Sequence, residues 1–183
     1  VGAFVEAMNA KARLLGMNET RYVEPTGLSS ENRSSAQDLA RLVRAASEHP
    51  IIREYSTLSD AVVEMGRRQV QFRNTNSLVH NPEWEIAVQK TGYIAAAGRC
   101  VVMQAQMAGR QLIMVLLDSA GRYSRVGDAE RLRRWLFESP ARAKAVLAGA
   151  AASAEAIVAA PAAAPAPAES PASPAAPAAG PEA

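Results

Sequence analysis

The sequence predicts an α/β fold, an antiparallel sheet flanked by helices that lacks its amino-terminal elements. Three observations carry this. Apolar residues recur at helical spacing near both ends of the first 139 residues, at Val5, Met8, Ala12 and Leu15 and again at Val126, Ala129, Leu132 and Leu136. Between them lie short runs of strand character, two of which, 100–107 and 111–118, flank a compact turn at Ala108-Gly109-Arg110. Finally, Leu112-Ile113-Met114-Val115-Leu116-Leu117 does not alternate, so both faces of that strand need cover. The last helix supplies one layer, and the short helices at the beginning are too few to complete the other. The chain therefore reads as the later part of a larger domain, with an exposed apolar sheet face as the expected consequence.

Taken in order, the first helix covers 3–15, and Gly16 stands where a left-handed residue ends the last turn. A loop with Pro25 and Gly27 follows. Ser34 and Ser35 lie three residues before Gln37 and Asp38, a spacing that satisfies free amides at a helix start. Leu39, Leu42, Val43 and Ala46 then form a stripe, and Pro50 ends that helix. Residues 61–65 and 69–72, joined at Gly66-Arg67, predict a half-exposed hairpin, followed by a loop over 74–82. A strand over 84–91 precedes the greasy hairpin of 100–107 and 111–118, and a helix over 123–137 closes the domain. Residues 1–139 form the foldable part. From Pro140 onward, where eight of the eleven prolines lie, a short helical stretch to about Ala160 passes into Ala/Pro repeats; this tail, 140–183, has too few large apolar side chains to offset ordering entropy and is expected to be a disordered linker.

Composition narrows the function. Residues 1–139 hold 18 Lys+Arg against 15 Asp+Glu, too slight an excess to track phosphates or an anionic membrane, so nucleic acid is not the expected partner. Lysine is scarce, at Lys11, Lys90 and Lys144, which leaves three candidates for any role that needs an ammonium. A single cysteine excludes an internal disulfide. His49 and His80, thirty-one positions apart, offer no metal-ligand spacing, and neither a metal nor an organic cofactor is indicated. No apolar run approaches the roughly 18 residues of a membrane span. No secretory signal stands at the start, where Val1 opens directly into a helical pattern, so the beginning reads as cut.

The residues with the most chemical content are Lys90-Thr91-Gly92, at the end of the strand predicted over 84–91 and followed by Tyr93. Alone the triplet is a weak signal. It gains weight from a series of segments in order: residues 4–12, residues 15–29 including Glu24-Pro25-Thr26-Gly27-Leu28-Ser29, then Phe72-Arg73-Asn74-Thr75-Asn76, then Lys90-Thr91-Gly92-Tyr93 with Ala96-Ala97-Gly98-Arg99-Cys100 behind it. In these segments the chain resembles the D-alanyl-D-alanine carboxypeptidases and endopeptidases among the low-molecular-mass penicillin-binding proteins, over most of residues 3–137.

That resemblance implies the penicillin-binding-protein/serine β-lactamase-like transpeptidase fold and a serine-type peptidase that cuts D-amino-acid peptide bonds of peptidoglycan through an acyl-enzyme. It implies peptidoglycan stem peptides and cross-links as partners, β-lactams as inhibitors of the complete enzyme, and a periplasmic location. Lys90 and Thr91 would bind the substrate carboxylate, Gly92 would keep the strand edge open, and the backbone amide of Tyr93 would be one oxyanion donor. The family also needs S-x-x-K, whose lysine one helical turn after the nucleophile helps take the hydroxyl proton. No serine of this sequence has a lysine three residues later. The S-x-N motif is expected, like the nucleophile, ahead of Val1, so this polypeptide alone is expected to be inactive. Ser30-Glu31-Asn32 has the letters of S-x-N but follows Gly27-Leu28-Ser29, in the loop that enters the next helix.

The remaining candidates read as structural. Cys100 lies within a strand pattern and is expected to be a small buried hydrophobe. Asp118-Ser119 lacks a surrounding G-x-S-x-G, and a strand end explains it. His49 and His80 are expected to be solvated. Two other functions stay open at this point: a class A β-lactamase-like hydrolase, which also uses K-T-G, and a non-catalytic wall-binding module with the Ala/Pro tail as its spacer.

Overall fold

The computed structural model describes residues 1–121 and 123–139, with Ala141, Lys144, Ala145 and Ala148 beyond them. The expectations for the rest of 140–183 lie outside the described residues. Helix α1 (Gly2–Leu14) ends where the sequence indicates, with Gly16 at φ +71° turning the chain back. The following loop is held by side chains that imitate backbone partners. Asn9 of α1 donates to the Tyr22 carbonyl at 2.7 Å and accepts from its amide at 2.8 Å. Asp38, 1% exposed, accepts from the Glu19 amide at 2.8 Å, the Thr20 hydroxyl at 2.7 Å and the Arg41 guanidinium at 2.6 Å.

Helix α2 (Ala36–Ser47) is capped by Ser35, whose hydroxyl accepts from the Asp38 amide at 3.3 Å. Pro50 has a second role beyond ending α2: it is the first residue of α3 (Pro50–Thr57), a helix the sequence reading did not include. Proline suits this place because its fixed φ and missing N–H cost nothing in a first turn. The predicted hairpin forms as β1 (Asp60–Met65) and β2 (Arg68–Arg73), paired from Asp60 with Arg73 to Met65 with Arg68. A single 3₁₀ turn over Ser77–His80 interrupts the expected loop.

The main sheet contains β3 (Glu85–Ile94), β4 (Gly98–Met107) and β5 (Arg110–Ser119), antiparallel in the order β3-β4-β5. Ala108 and Gly109 both have positive φ, the primed two-residue turn whose twist suits a hairpin. Strand β3 runs three residues past its predicted end and pairs through Gly92 with Cys100 to Ile94 with Gly98, so cross-strand pairing overrides the low strand preference of glycine. The Lys90-Thr91-Gly92 triplet consequently lies inside the strand.

Met103, Ala105, Met107 and Met114 face α4 (Ser124–Glu138), where they cluster with Leu78, Trp84, Ala129 and Leu136. Leu132, predicted on the inner face of α4, is 40% exposed, and Val126 and Trp135 complete the contact instead. Helix α2 lies against all three strands, and none of its residues joins the cluster beneath α4, so it covers the opposite side. The expected bare sheet face is thus corrected: no residue of β4 is exposed, and apart from Tyr93 on β3 and Leu117 on β5 the exposed large apolar side chains lie off the main sheet, among them Val62, Val63, Met65 and Phe72 of the β1–β2 hairpin, Phe4 and Leu14 of α1, and Ile51 and Tyr55 of α3.

Candidate functional site

Strand β3 is an edge of the three-stranded sheet, and its second half changes from buried to open: Val88 and Gln89 are buried, Lys90 and Gly92 are exposed, and Tyr93 is 58% exposed. The strand register puts Lys90 opposite Val102 and Thr91 opposite Val101, so their side chains leave opposite faces of the sheet. The Lys90 ammonium folds along the strand and donates to the Thr91 carbonyl at 2.6 Å. It is not packed beneath the carboxy-terminal helix. The Tyr93 ring carries the Arg99 guanidinium 4.4 Å from its centroid, across the pair that the two residues form between β3 and β4.

Gly92 is informative because the fold does not require it. A Cβ there meets nothing within 4 Å, and its φ is not in the left-handed region. Gly98 is the opposite case, with φ +65° and a Cβ position only 2.9 Å from the Asp118 Cα. Glycine at 98 answers an internal need, whereas at 92 neither backbone conformation nor packing calls for one.

Residues absent from the sequence reading of this site hold the triplet in place. The Thr75 and Thr91 hydroxyl oxygens are 2.7 Å apart. Gln89, 6% exposed, donates from its side chain to the Ser56 carbonyl at 2.6 Å and to Asn74 Oδ1 at 3.1 Å, and accepts from Asn76 at 3.3 Å. The only signal for this was the segment Asn74-Thr75-Asn76, which carried the resemblance without a role.

The weaker candidates fall where local structure accounts for them. Asn32 of Ser30-Glu31-Asn32 is a loop brace, accepting from the Val23 amide at 2.8 Å and donating to Glu24 at 2.6 Å. Cys100 is half-buried rather than buried, its thiol directed to the Ala97 carbonyl at 3.3 Å. Asp118 has φ +49° at a register shift between β4 and β5 and Ser119 ends β5, so the pair marks a strand irregularity. His49 caps α3, and His80 lies 3.5 Å from the Asn74 carbonyl. An open concavity of about 530 Å³, bordered by Arg53, Glu54, Glu85 and Gln106, lies at the far end of β3 from Lys90. Among the described residues no cluster of His, Cys, Asp or Glu could hold a metal ion, and no helix is long and apolar enough to cross a membrane.

A K-T-G strand edge on an antiparallel sheet with helices on both faces fits the fold class shared by penicillin-binding proteins and serine β-lactamases, and within it the chain belongs to the S11 peptidases, the D-alanyl-D-alanine carboxypeptidase family, whose model matches residues 1–121. It is 47% identical over 136 residues to the D-alanyl-D-alanine endopeptidase of Pseudomonas aeruginosa and 44% identical over 136 residues to that of Escherichia coli, in each case over 73% of this chain and 44% of the relative. The chain thus spans less than half the length of these curated relatives. Among solved structures it is similar to penicillin-binding protein D2 of Listeria monocytogenes in its cefotaxime-bound form, with a TM-score of 0.61, 28% identity, and 73% of this chain and 55% of that one covered. The Streptomyces K15 DD-transpeptidase, 24% identical with a TM-score of 0.68 over 75% of this chain and 55% of its own, shares the fold.

Proposed function

We propose that this chain supplies the substrate-carboxylate edge of a periplasmic D-alanyl-D-alanine endopeptidase or carboxypeptidase that remodels peptidoglycan. The observation that carries the reading is the exposed Lys90-Thr91-Gly92 edge in a chain of this family, with a glycine at 92 that internal packing does not demand. Endopeptidase action on cross-links is favoured by the 44–47% identity to enzymes of that name, against 29% to the carboxypeptidases of Bacillus subtilis and Escherichia coli.

In this mechanism the long Lys90 side chain, which starts from the opposite face to Thr91 but already folds along the edge strand to the Thr91 carbonyl, brings its ammonium round that edge to the terminal carboxylate of a stem peptide, and the Thr91 hydroxyl donates to the same carboxylate. Both are charge-assisted bonds, stronger than neutral ones. The peptide lies along the β3 edge as an added strand, close to Gly92. The Tyr93 amide donates to the scissile carbonyl oxygen as it becomes an oxyanion, stabilising charge that exists only in the transition state. A serine hydroxyl attacks that carbonyl, its proton passing to a neighbouring base, and the bond to the leaving amine breaks to give an acyl-enzyme. No S-x-x-K occurs in these 183 residues. β-Lactams would enter the same seat through their own carboxylate.

A fluorescent penicillin provides the test. The 183-residue polypeptide should not be labelled covalently, whereas a fusion carrying the amino-terminal segment of the Pseudomonas aeruginosa relative should be. Lys90→Ala in that fusion should slow labelling by about a hundredfold, the order expected for losing a charged contact. Labelling of the 183 residues alone, or of the fusion equally with and without Lys90, would overturn the assignment. Fast nitrocefin turnover by the fusion would favour a lactamase.

A further inference from the structure

We propose that Thr75 is a positioning residue for the carboxylate seat: its hydroxyl donates to Thr91 Oγ, so that the single proton of Thr91 is left for the ligand. The inference rests on the carboxylate-binding role given to Thr91 above. The two hydroxyl oxygens stand 2.7 Å apart, and either could be the donor in the unliganded chain. The direction matters because a threonine hydroxyl has one proton, and an ionised carboxylate only accepts. If Thr91 donates to Thr75, it turns a lone pair toward an incoming anion and repels it. If Thr75 donates to Thr91, the Thr91 proton points outward, and the bond it receives polarises the one it gives. The charge of the ligand selects the second arrangement.

The fold fixes Thr75 where this relay requires it. On one side Asn74 is held by a set of hydrogen bonds: its amide donates to the Ser59 carbonyl at 2.8 Å, its side chain to the Ser56 and Leu58 carbonyls at 3.1 and 2.8 Å, and its Oδ1 accepts from Gln89 at 3.1 Å and from the Asn76 amide at 3.0 Å. On the other side Asn76, 2% exposed, accepts from the Leu78 amide at 3.2 Å and donates to Gln89 at 3.3 Å. Thr75 itself is exposed, and its hydroxyl is directed to that of Thr91. Two locked neighbours that present one free hydroxyl to a site hydroxyl are more than a loop needs for its own closure.

The test uses the 183-residue chain and N-acetyl-D-Ala-D-Ala, with the amide resonances of Thr91, Gly92 and Tyr93 as the readout of a titration. The dipeptide should shift these amides and its methyl ester should not. Thr75→Val and Thr75→Ala should each weaken binding about fivefold, the loss of one neutral hydrogen bond, while Thr75→Ser restores it. In a Thr91→Val background the Thr75 changes should have no further effect, because the relay then has no second member. Equal affinity of wild type, Thr75→Val and Thr75→Ala would overturn the relay and leave the carboxylate seat standing. Weak binding by Thr75→Ser as well would overturn it in favour of a purely steric role. Absence of any shift in the wild-type chain would remove the seat itself, and the relay with it.

Discussion

Gln89 and Ser56 are joined twice, by the Gln89 side chain donating to the Ser56 carbonyl at 2.6 Å and by the Gln89 amide donating to the Ser56 hydroxyl at 3.3 Å. The pair fixes the carboxy-terminal turn of α3 to β3 at the residue before Lys90. Because Gln89 also engages Asn74 and Asn76, one buried amide connects three segments at the base of the candidate site.

Gln89→Leu should therefore destabilise the chain by about 1–3 kcal/mol, since a shape-similar apolar side chain leaves the buried Asn76 side-chain amide without its acceptor and removes one of the two donors to the Ser56 carbonyl. Chemical denaturation measures this. A loss below about 0.5 kcal/mol would mean that water takes over those bonds and that Gln89 is not the hub described.

Asp38→Ala should cost more, about 3 kcal/mol or above, because it removes the acceptor of Glu19, Thr20 and Arg41 at once and leaves a guanidinium beside an empty, nearly buried position. Asp38→Asn keeps an acceptor and should cost less. The reverse order in thermal melts would show that a neutral amide, which brings donors where the carboxylate only accepts, fits this position worse than a truncated side chain.

Two glycine substitutions should separate fold from function. Gly98→Ala must place a Cβ against the Asp118 backbone at a left-handed φ of +65° and should destabilise by roughly 2 kcal/mol or more. Gly92→Ala meets open space and should alter stability by less than about 0.5 kcal/mol, yet abolish detectable binding of N-acetyl-D-Ala-D-Ala. Unchanged dipeptide binding by Gly92→Ala would indicate that the ligand does not approach this edge.

Acid should loosen the loop that follows α1. The Glu24 carboxyl is lowered from 4.5 to about 2, first by the hydrogen bond from the Thr26 hydroxyl and further by the amides of Ser29, Thr26 and Gly27, against an opposing loss of hydration. A carboxyl lowered in the folded state contributes stability that is fully present above its ordinary value of 4.5 and is lost as pH falls toward 2. Carboxyl carbon NMR should give a Glu24 midpoint close to 2, and Glu24→Gln should remove the acid-dependent change in the amides of 26–29. A midpoint near the ordinary value would mean that the loop does not hold its carboxylate in solution.

Much of the architecture was legible because its signals are local. The Ser35 cap, the Gly16 stop, the Gly66-Arg67 turn and the β4–β5 hairpin each depend on residues within a few positions of one another, where spacing and allowed φ decide the outcome. Helix α3 escaped because Pro50 gives the same punctuation whether it ends one helix or begins the next. The cover on both sheet faces was underestimated because the reach of α2 across three strands is not a property of its own sequence.

The sequence by itself determined the order of helices and strands apart from α3, the family segments, the Lys90-Thr91-Gly92 triplet and the lack of S-x-x-K within these residues. Only the tertiary structure decided that Thr75 meets Thr91 across sixteen positions, that Gln89 is buried where Lys90 is exposed, and that glycine at 92 answers no internal need while glycine at 98 does. The reason is one of range. Periodicity and capping are set by neighbours along the chain, but which hydroxyl faces which depends on strand register and loop closure, and these follow from packing among residues far apart in sequence.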